Sequence, residues 1–172
     1  MKRISGKTAI VTGGSHGIGR ATCFRLAAEG ARGAVTDIQD DDGEAVAGAI
    51  REQGGDARYW HLDVASEESV ERVFAEIDDA LGAPQVLVNN AGISGADKPT
   101  DQLTEAEWQQ VQDINVKGVF LCTKHVIPYM RRVGGGSIIN LSSIYGIIGA
   151  PDIPSYHASK GAVRLMTKTD AL

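Results

Sequence analysis

Thr8-Ala9-Ile10-Val11-Thr12-Gly13-Gly14-Ser15-His16-Gly17-Ile18-Gly19 is the stretch that decides the fold. Thr8–Thr12 is a short apolar run of the kind that forms a buried strand. Gly17–Glu29 has a helical pattern that places Ile18, Ala21, Leu26 and Ala27 on one face and stops at Gly30. A strand that turns through glycines directly into a helix gathers free backbone N–H groups at the helix's positive end. That is what a pyrophosphate needs. A side chain in the turn would hold the phosphate away, so glycine must occupy it. The spacing is G-x-x-x-G-x-G, not the commoner G-x-G-x-x-G.

The next strand candidate, Gly33–Asp37, closes on a carboxylate 18 residues beyond Gly19. At that place Asp37 can accept hydrogen bonds from both ribose hydroxyls of an adenosine. The same charge repels a 2′-phosphate, by roughly a few kcal/mol at ~4 Å and a near-surface dielectric. No Arg or Lys adjoins Asp37 in the sequence to reverse this. The turn and Asp37 together predict a dinucleotide site that prefers NAD(H) to NADP(H).

Outward from there, strand and helix signals alternate. Asp40–Gln53 reads as a helix stopped by Gly54-Gly55, and Arg58–Leu62 as a third strand. Ser66–Leu81 reads as a helix with Ser66 as cap, Glu67 and Glu68 in its first turn and Gly82 as stop. Val86–Asn90 is a fourth strand candidate. A loop, Gly92–Asp101, precedes one long helix, Thr104–Val133, ended by Gly134-Gly135-Gly136. Ser137–Leu141 is a fifth strand, a loop runs to Pro154, and the chain from Tyr156 is helical. The fold expected is α/β: a Rossmann-type, doubly wound parallel sheet of order 3-2-1-4-5, with 1–172 as a single dinucleotide-binding and catalytic domain.

The 172 residues suffice for one sizeable core. The net charge of −5 argues against nucleic acid or an anionic membrane as partner. Asp40–Asp42 and Glu44 fall at a helix start, where carboxylates are favoured and solvated. Cys23 and Cys122 lie in apolar helical patterns and are expected to be reduced core residues. No cysteine spacing suits zinc. No apolar run reaches the length of a membrane span. Met1-Lys2-Arg3 leads straight toward a strand signal without a leader. A soluble, cytoplasmic protein is expected.

Two further segments complete a set: Asn89-Asn90-Ala91-Gly92 after the fourth strand, and Tyr156-His157-Ala158-Ser159-Lys160. With the glycine-rich turn these resemble the short-chain dehydrogenase/reductase family, over the whole chain and in order. The resemblance implies reversible hydride transfer between a nicotinamide and an alcohol or carbonyl. It implies Tyr156 as acid/base, Lys160 as its partner and a ligand of the nicotinamide ribose, Ser143 as substrate-orienting group, and Asn115 as support for a proton-relay water. It implies cofactor contacts from Gly13, Ser15, His16, Gly17, Ile18 and Gly19. Asp37 and Ile38, the Asp63-Val64 pair beside adenine, and Asn90, Ala91 and Gly92 belong to the same implied site, as do Tyr156 and Lys160 themselves. The family also runs on past the position of Leu172, with a sixth strand, a substrate-covering loop with helices, and a seventh strand. The catalytic set is therefore expected here with part of the substrate pocket, and the fifth strand as a sheet edge. The full-length form is expected to be a tetramer or dimer, built partly on the helices of Thr104–Val133 and of Tyr156 onward.

The chemistry can be argued without the family. A carbonyl that accepts hydride needs a proton donor, and a free tyrosine is a poor base near neutral pH. Tyr156 and Lys160 are i and i+4 and share a helical face, so the ammonium can favour the phenolate. Ser143 can donate to the developing oxyanion; strand alternation turns the adjacent Ser142 the other way. Bland readings stand beside these: Asn115 as a satisfied helix polar group, Asn89 as a backbone partner, His157 as a helix-surface residue, and His16 as packing near phosphate. Gly92–Asp101 and Ile144–Ile153 supply the substrate wall, with Ile93, Ile144, Ile148 and Ile153 hinting at a partly apolar alcohol: cyclic, steroidal, sugar or acyl. The leading expectation is an NAD(H)-dependent oxidoreductase that interconverts a secondary alcohol and a ketone. The alternative is an NAD(H)-binding module without turnover. An epimerase or dehydratase of the same superfamily would carry T-G-x-x-G-x-x-G, which Thr12–Gly19 does not show.

Overall fold

A computed structural model describes residues 2–172. Thr8–Thr12 forms β1, and all five residues are buried. The reason is its position: β1 is the central strand of a five-stranded parallel sheet, between β2 (Arg32–Asp37) and β4 (Pro84–Asn89). A strand covered on both faces reads as a continuous apolar run, without alternation. The sheet order is β3-β2-β1-β4-β5, as expected, with β3 at Asp56–His61 and β5 at Ser137–Asn140.

Helices cover both faces. On one, α3 (Glu67–Leu81) sets Val70, Val73, Phe74 and Ile77 against Ile10 and Leu87. On the other, Cys23 and Ala27 of α1 (Gly17–Ala28) join Val46, Ala47 and Ile50 of α2 (Asp40–Glu52) over Ala9, Val11 and Val35. Both cysteines are buried and free. Ser66 caps α3 by accepting from the Ser69 N–H. No helix of the described residues is long and apolar enough to cross a membrane.

Two sequence readings need correction. Ile18 and Ala21 do not belong to the core face of α1, which is Gly19, Cys23 and Ala27. Ile18 is 68% exposed, because the first turn of α1 faces a cleft and not a neighbouring helix. The long helix is also not uniform. It comprises α4 (Glu105–Gln112), a wide π turn (Asp113–Lys117) and α5 (Gly118–Arg132). From Val111 its buried side recurs at Asn115, Val119, Cys122, Val126 and Met130. Five turns thus take nineteen positions, where five turns of α-helix take eighteen. The extra residue is the π turn, and Asn115 lies at its centre.

The last helix, α6 (Pro154–Asp170), packs on the π turn, on α4 and on β5, and begins with Pro154 at a position where its missing N–H is harmless. Those contacts bring Tyr156 and Lys160 to the carboxyl ends of β4 and β5.

Candidate active site

A cleft of about 400 Å3 opens at the carboxyl end of the sheet. Gly13, Ser15, His16, Gly17 and Ile18 of the glycine-rich turn line it, with Asp37 and Ile38 after β2, Asp63 and Val64 after β3, and Asn90, Ala91 and Gly92 after β4. The cleft therefore gathers every expected cofactor residue except Gly19, Tyr156 and Lys160. It lies where strand order reverses between β1 and β4, the usual place for a ligand in an open α/β sheet.

Gly19 acts from beneath. A Cβ built on it would sit 2.0 Å from the Gly13 carbonyl oxygen, so only glycine lets the helix approach the turn this closely. Gly13 has φ +64°, and a Cβ there would lie 2.9 Å from the Ala91 Cα. Asn90 clamps the same turn: its Nδ2 donates to the carbonyls of Thr12 and Gly13, both at 2.9 Å. Thr12 Oγ1 accepts from the N–H groups of Asn90 and Ala91, each at 3.0 Å. No side chain caps the N-terminus of α1, whose first turn holds no carboxylate. A bare helix N-terminus over a cradle that a Cβ would fill suits a pyrophosphate.

Asp37 is fixed before any ligand arrives. Its Oδ2 accepts from Ser15 N–H at 3.1 Å and Ser15 Oγ–H at 2.6 Å, and its Oδ1 from the Ile38 and Gln39 N–H groups at 2.8 and 3.2 Å. None of the ion pairs among the described residues neutralises it. Ser15 Oγ also meets His16 Nδ1 at 2.9 Å, so His16 braces the turn, as well as bordering the cleft. The acidic start of α2 is likewise more than a solvated terminus. Asp40 accepts from Tyr59 Oη–H at 2.6 Å and lies 2.7 Å from His61 Nδ1; the Tyr59 hydrogen bond and the His61 contact hold its carboxyl below the usual carboxylate range.

Tyr156 and Lys160, the expected acid/base pair, stand beyond Gly92. Lys160 is buried, and its Nζ donates to the Leu141 carbonyl at 2.8 Å and lies 5.5 Å from the centre of the Tyr156 ring. Burial lowers the Lys160 pKa. A Cβ on Gly92 would be 3.6 Å from Lys160 Nζ and 3.1 Å from Asn115 Oδ1, so both groups abut the inner end of the cleft. Ser143 Oγ accepts from the Tyr145 N–H at 3.1 Å, whereas Ser142 Oγ donates to the Lys160 carbonyl at 2.8 Å. The two serines thus serve different elements, as alternation suggests.

Asn115 is 1% exposed and its side chain is satisfied. Oδ1 accepts from the Ile93 N–H at 2.9 Å; Nδ2 donates to the Ile93 carbonyl at 2.8 Å and to Ser159 Oγ at 3.0 Å. It ties the loop after β4 to α6. Ser159, which sequence reasoning passed over, completes the tie by donating to the Tyr156 carbonyl at 2.8 Å. Its position between Tyr156 and Lys160 was the available signal. Asn89 bonds side chains and not backbone: Nδ2 reaches Thr123 Oγ1 and Asn140 Oδ1, and Asn140 in turn donates to Thr167 Oγ1 of α6. His157 is half-buried and hydrogen-bonded on both ring nitrogens, so it is not a free surface residue. Of the expected wall residues, Ile144 and Ile148 are exposed, and Ile93 and Ile153 are half-buried.

Among the described residues, no cluster of His, Cys, Asp and Glu could hold a metal ion.

The chain is similar to known proteins over its whole length. The profile of the short chain dehydrogenase family matches residues 7–172. A cyclopentanol dehydrogenase of Comamonas testosteroni is 45% identical over 176 residues, covering 100% of this chain and 68% of its own length. An NADP-dependent (R)-specific alcohol dehydrogenase of Lentilactobacillus kefiri is 42% identical, over 99% of this chain and 67% of its own. The crystal structure of an NAD+-bound xylitol dehydrogenase superposes with a TM-score of 0.96 at 36% identity, covering 99% of this chain and 65% of that one. This chain spans about two thirds of the length of these relatives. It belongs to the short-chain dehydrogenase family, nicotinamide-dependent oxidoreductases whose relatives here act on CH–OH donors.

Proposed function

We propose that residues 1–172 form the cofactor-binding and catalytic part of an NAD(H)-dependent oxidoreductase that interconverts a secondary alcohol and a ketone. The observation that carries this reading is the buried Lys160 ammonium over the Tyr156 ring, at the inner end of a cleft whose other end carries Asp37. A nicotinamide cofactor held by the glycine-rich turn, Asp37 and Lys160 would supply or accept the hydride. Tyr156 Oη gives its proton to the developing alkoxide in reduction and takes it back in oxidation. The charge of Lys160 favours the phenolate that this requires. Ser143 accepts from Tyr145 N–H, which leaves its own hydrogen to donate to the substrate oxygen. Asn115 assists by holding Ile93 and, through Ser159, the first turn of α6.

NAD(H) is favoured because the Asp37 carboxylate is held rigidly at the cleft and has no cationic partner among the described residues. A rigid anion cannot swing away from a 2′-phosphate. The xylitol dehydrogenase neighbour was solved with NAD+, whereas the alcohol dehydrogenase relative is named for NADP, so the preference rests on Asp37 itself. Exposed Ile144 and Ile148 suit a partly apolar alcohol, and cyclopentanol is the first probe. Exposed Phe120 and Leu165, on α5 and α6, support a homo-oligomeric full-length form.

The test is titration with NADH and NADPH, followed by cyclopentanol and a ketone panel, read by absorbance of the reduced cofactor. NADH is expected to bind at least about tenfold tighter, as a repulsion above 1.4 kcal/mol requires. Equal affinities would overturn the cofactor preference. Tight NADH binding without turnover on the panel would favour a binding module instead.

A further inference from the structure

His157 follows Tyr156 directly and has no part in the reaction derived above. Its ring has three fixed neighbours. Nδ1 lies 2.8 Å from the Ile153 carbonyl oxygen, and Nε2 lies 2.8 Å from the Ala150 backbone nitrogen. A carbonyl can only accept and an amide N–H can only donate. The two partners therefore fix one tautomer, with hydrogen on Nδ1 and a lone pair on Nε2. The third neighbour is Tyr145, whose ring lies 4.8 Å away at 32° to the imidazole. Tyr145 in turn meets Tyr156 edge-on, at 6.4 Å and 83°.

These contacts join the loop after the Ile144–Gly146 turn to α6. The segment from Ile144 to Ile153 carries three exposed isoleucines, Ile144, Ile147 and Ile148. It contains only a short 3-10 turn, Ile144–Gly146. At its far end Asp152 is a non-glycine residue at φ +65°, and its carbonyl accepts from the Lys98 N–H of the loop after β4. The left-handed region is disfavoured for a residue with a Cβ, so surrounding contacts help to hold Asp152 there. His157 supplies two of them on either side of Asp152, at Ala150 and Ile153.

We propose that His157 is a positioning residue: a latch that pins the Ile147–Ile153 segment beside the reactive tyrosine and, through Tyr145, fixes the tilt of the Tyr156 ring. This rests on the reading of Tyr156 as acid/base. None of the direct contacts of His157 reaches the glycine-rich turn, Asp37 or the residues after β3 and β4 that line the cleft.

Three measurements test it. Nitrogen-15 NMR of the unaltered protein is expected to find His157 protonated on Nδ1, and the Ala150 amide is expected to exchange slowly. His157→Phe keeps a ring against Tyr145 but removes both hydrogen bonds. It is expected to speed Ala150 exchange and raise KM for cyclopentanol, each by about tenfold, as loss of neutral hydrogen bonds implies, while NADH Kd stays within about twofold. His157→Gln, which can both accept and donate, is expected to recover most of the exchange protection and KM. An Nε2-protonated His157, or a His157→Phe protein with unchanged KM and Ala150 exchange, would overturn the latch. A change in NADH affinity as large as the change in KM would also overturn it, because a general loss of structure moves both. Lack of cyclopentanol turnover in the unaltered protein counts against the dehydrogenase reading, and the tautomer and exchange rates still decide the latch.

Discussion

The two halves of the site are built to different rules. The proposed cofactor half is built around the backbone of one turn: Gly19 lies under the Gly13 carbonyl, the Asn90 side chain clamps the Thr12 and Gly13 carbonyls, and the Asp37 carboxylate is held by four N–H and O–H donors. The substrate half is made by side chains on loops. Ile144, Ile147 and Ile148 are 60%, 65% and 52% exposed, and a few latches keep them in place. The first half is rigid because its groups are already hydrogen-bonded to one another, and one cofactor shape is all it needs to accept. The second can vary without disturbing the sheet, which is how one scaffold serves many alcohols.

That contrast can be broken at the residue where the halves meet. Tyr156→Phe removes the hydroxyl alone, and turnover is expected to fall at least about a thousandfold, with NADH binding changed less than about threefold. Steady-state kinetics beside a fluorescence titration would check this, and near-full activity would refute the acid/base role. Within the cofactor half, Gly19→Ala forces a Cβ against the Gly13 carbonyl. Overpacking of this kind costs about 1–3 kcal/mol, so Tm is expected to drop by roughly 5 °C, and NADH affinity should fall with it. An unchanged melting curve would show that the cradle is softer than its contacts imply. The smallest effect is expected in the substrate half. Ile148→Ser should move stability by less than about 0.5 kcal/mol and raise KM for cyclopentanol a few-fold, with NADH affinity intact. A Tm loss as large as that of Gly19→Ala would erase the distinction between the two halves.

The same contrast explains what could be read from the chain. The glycine turn and Asp37 were legible because their requirement is local: a close backbone approach names glycine, and a strand end names the carboxylate. Sheet order followed from the Rossmann-type reading of the alternating strands and helices, and both buried cysteines from the apolar helical patterns around them. Ile18 and Ala21 were misread because periodicity sees an apolar face and not what lies opposite it; for Ile18 that is a cleft. The π turn was invisible because neither glycine nor proline interrupts Asp113–Lys117 to mark a change in the helix. His157 looked like a surface residue because its partners sit on a loop upstream, at Ala150 and Ile153, where no sequence period points. Asn89 and Ser159 gained their partners only when α5, β5 and α6 closed around them.

The widened turn at Asp113–Lys117 has a consequence for how the protein can change length. α4 buries Val111 and α5 a stripe through Val119, Cys122, Val126 and Met130, and the surplus residue is what brings Val111, Asn115 and that stripe into one line. Removing it would rotate everything downstream by about 100°, carrying solvent-facing Phe120 toward the sheet and Leu121 away from it. Insertions and deletions are absorbed where a loop can bulge, as around Gly92–Asp101. Here a single codon gained or lost is transmitted along the whole of α5, so this turn behaves as a fixed point around which the more variable loops have room to diverge.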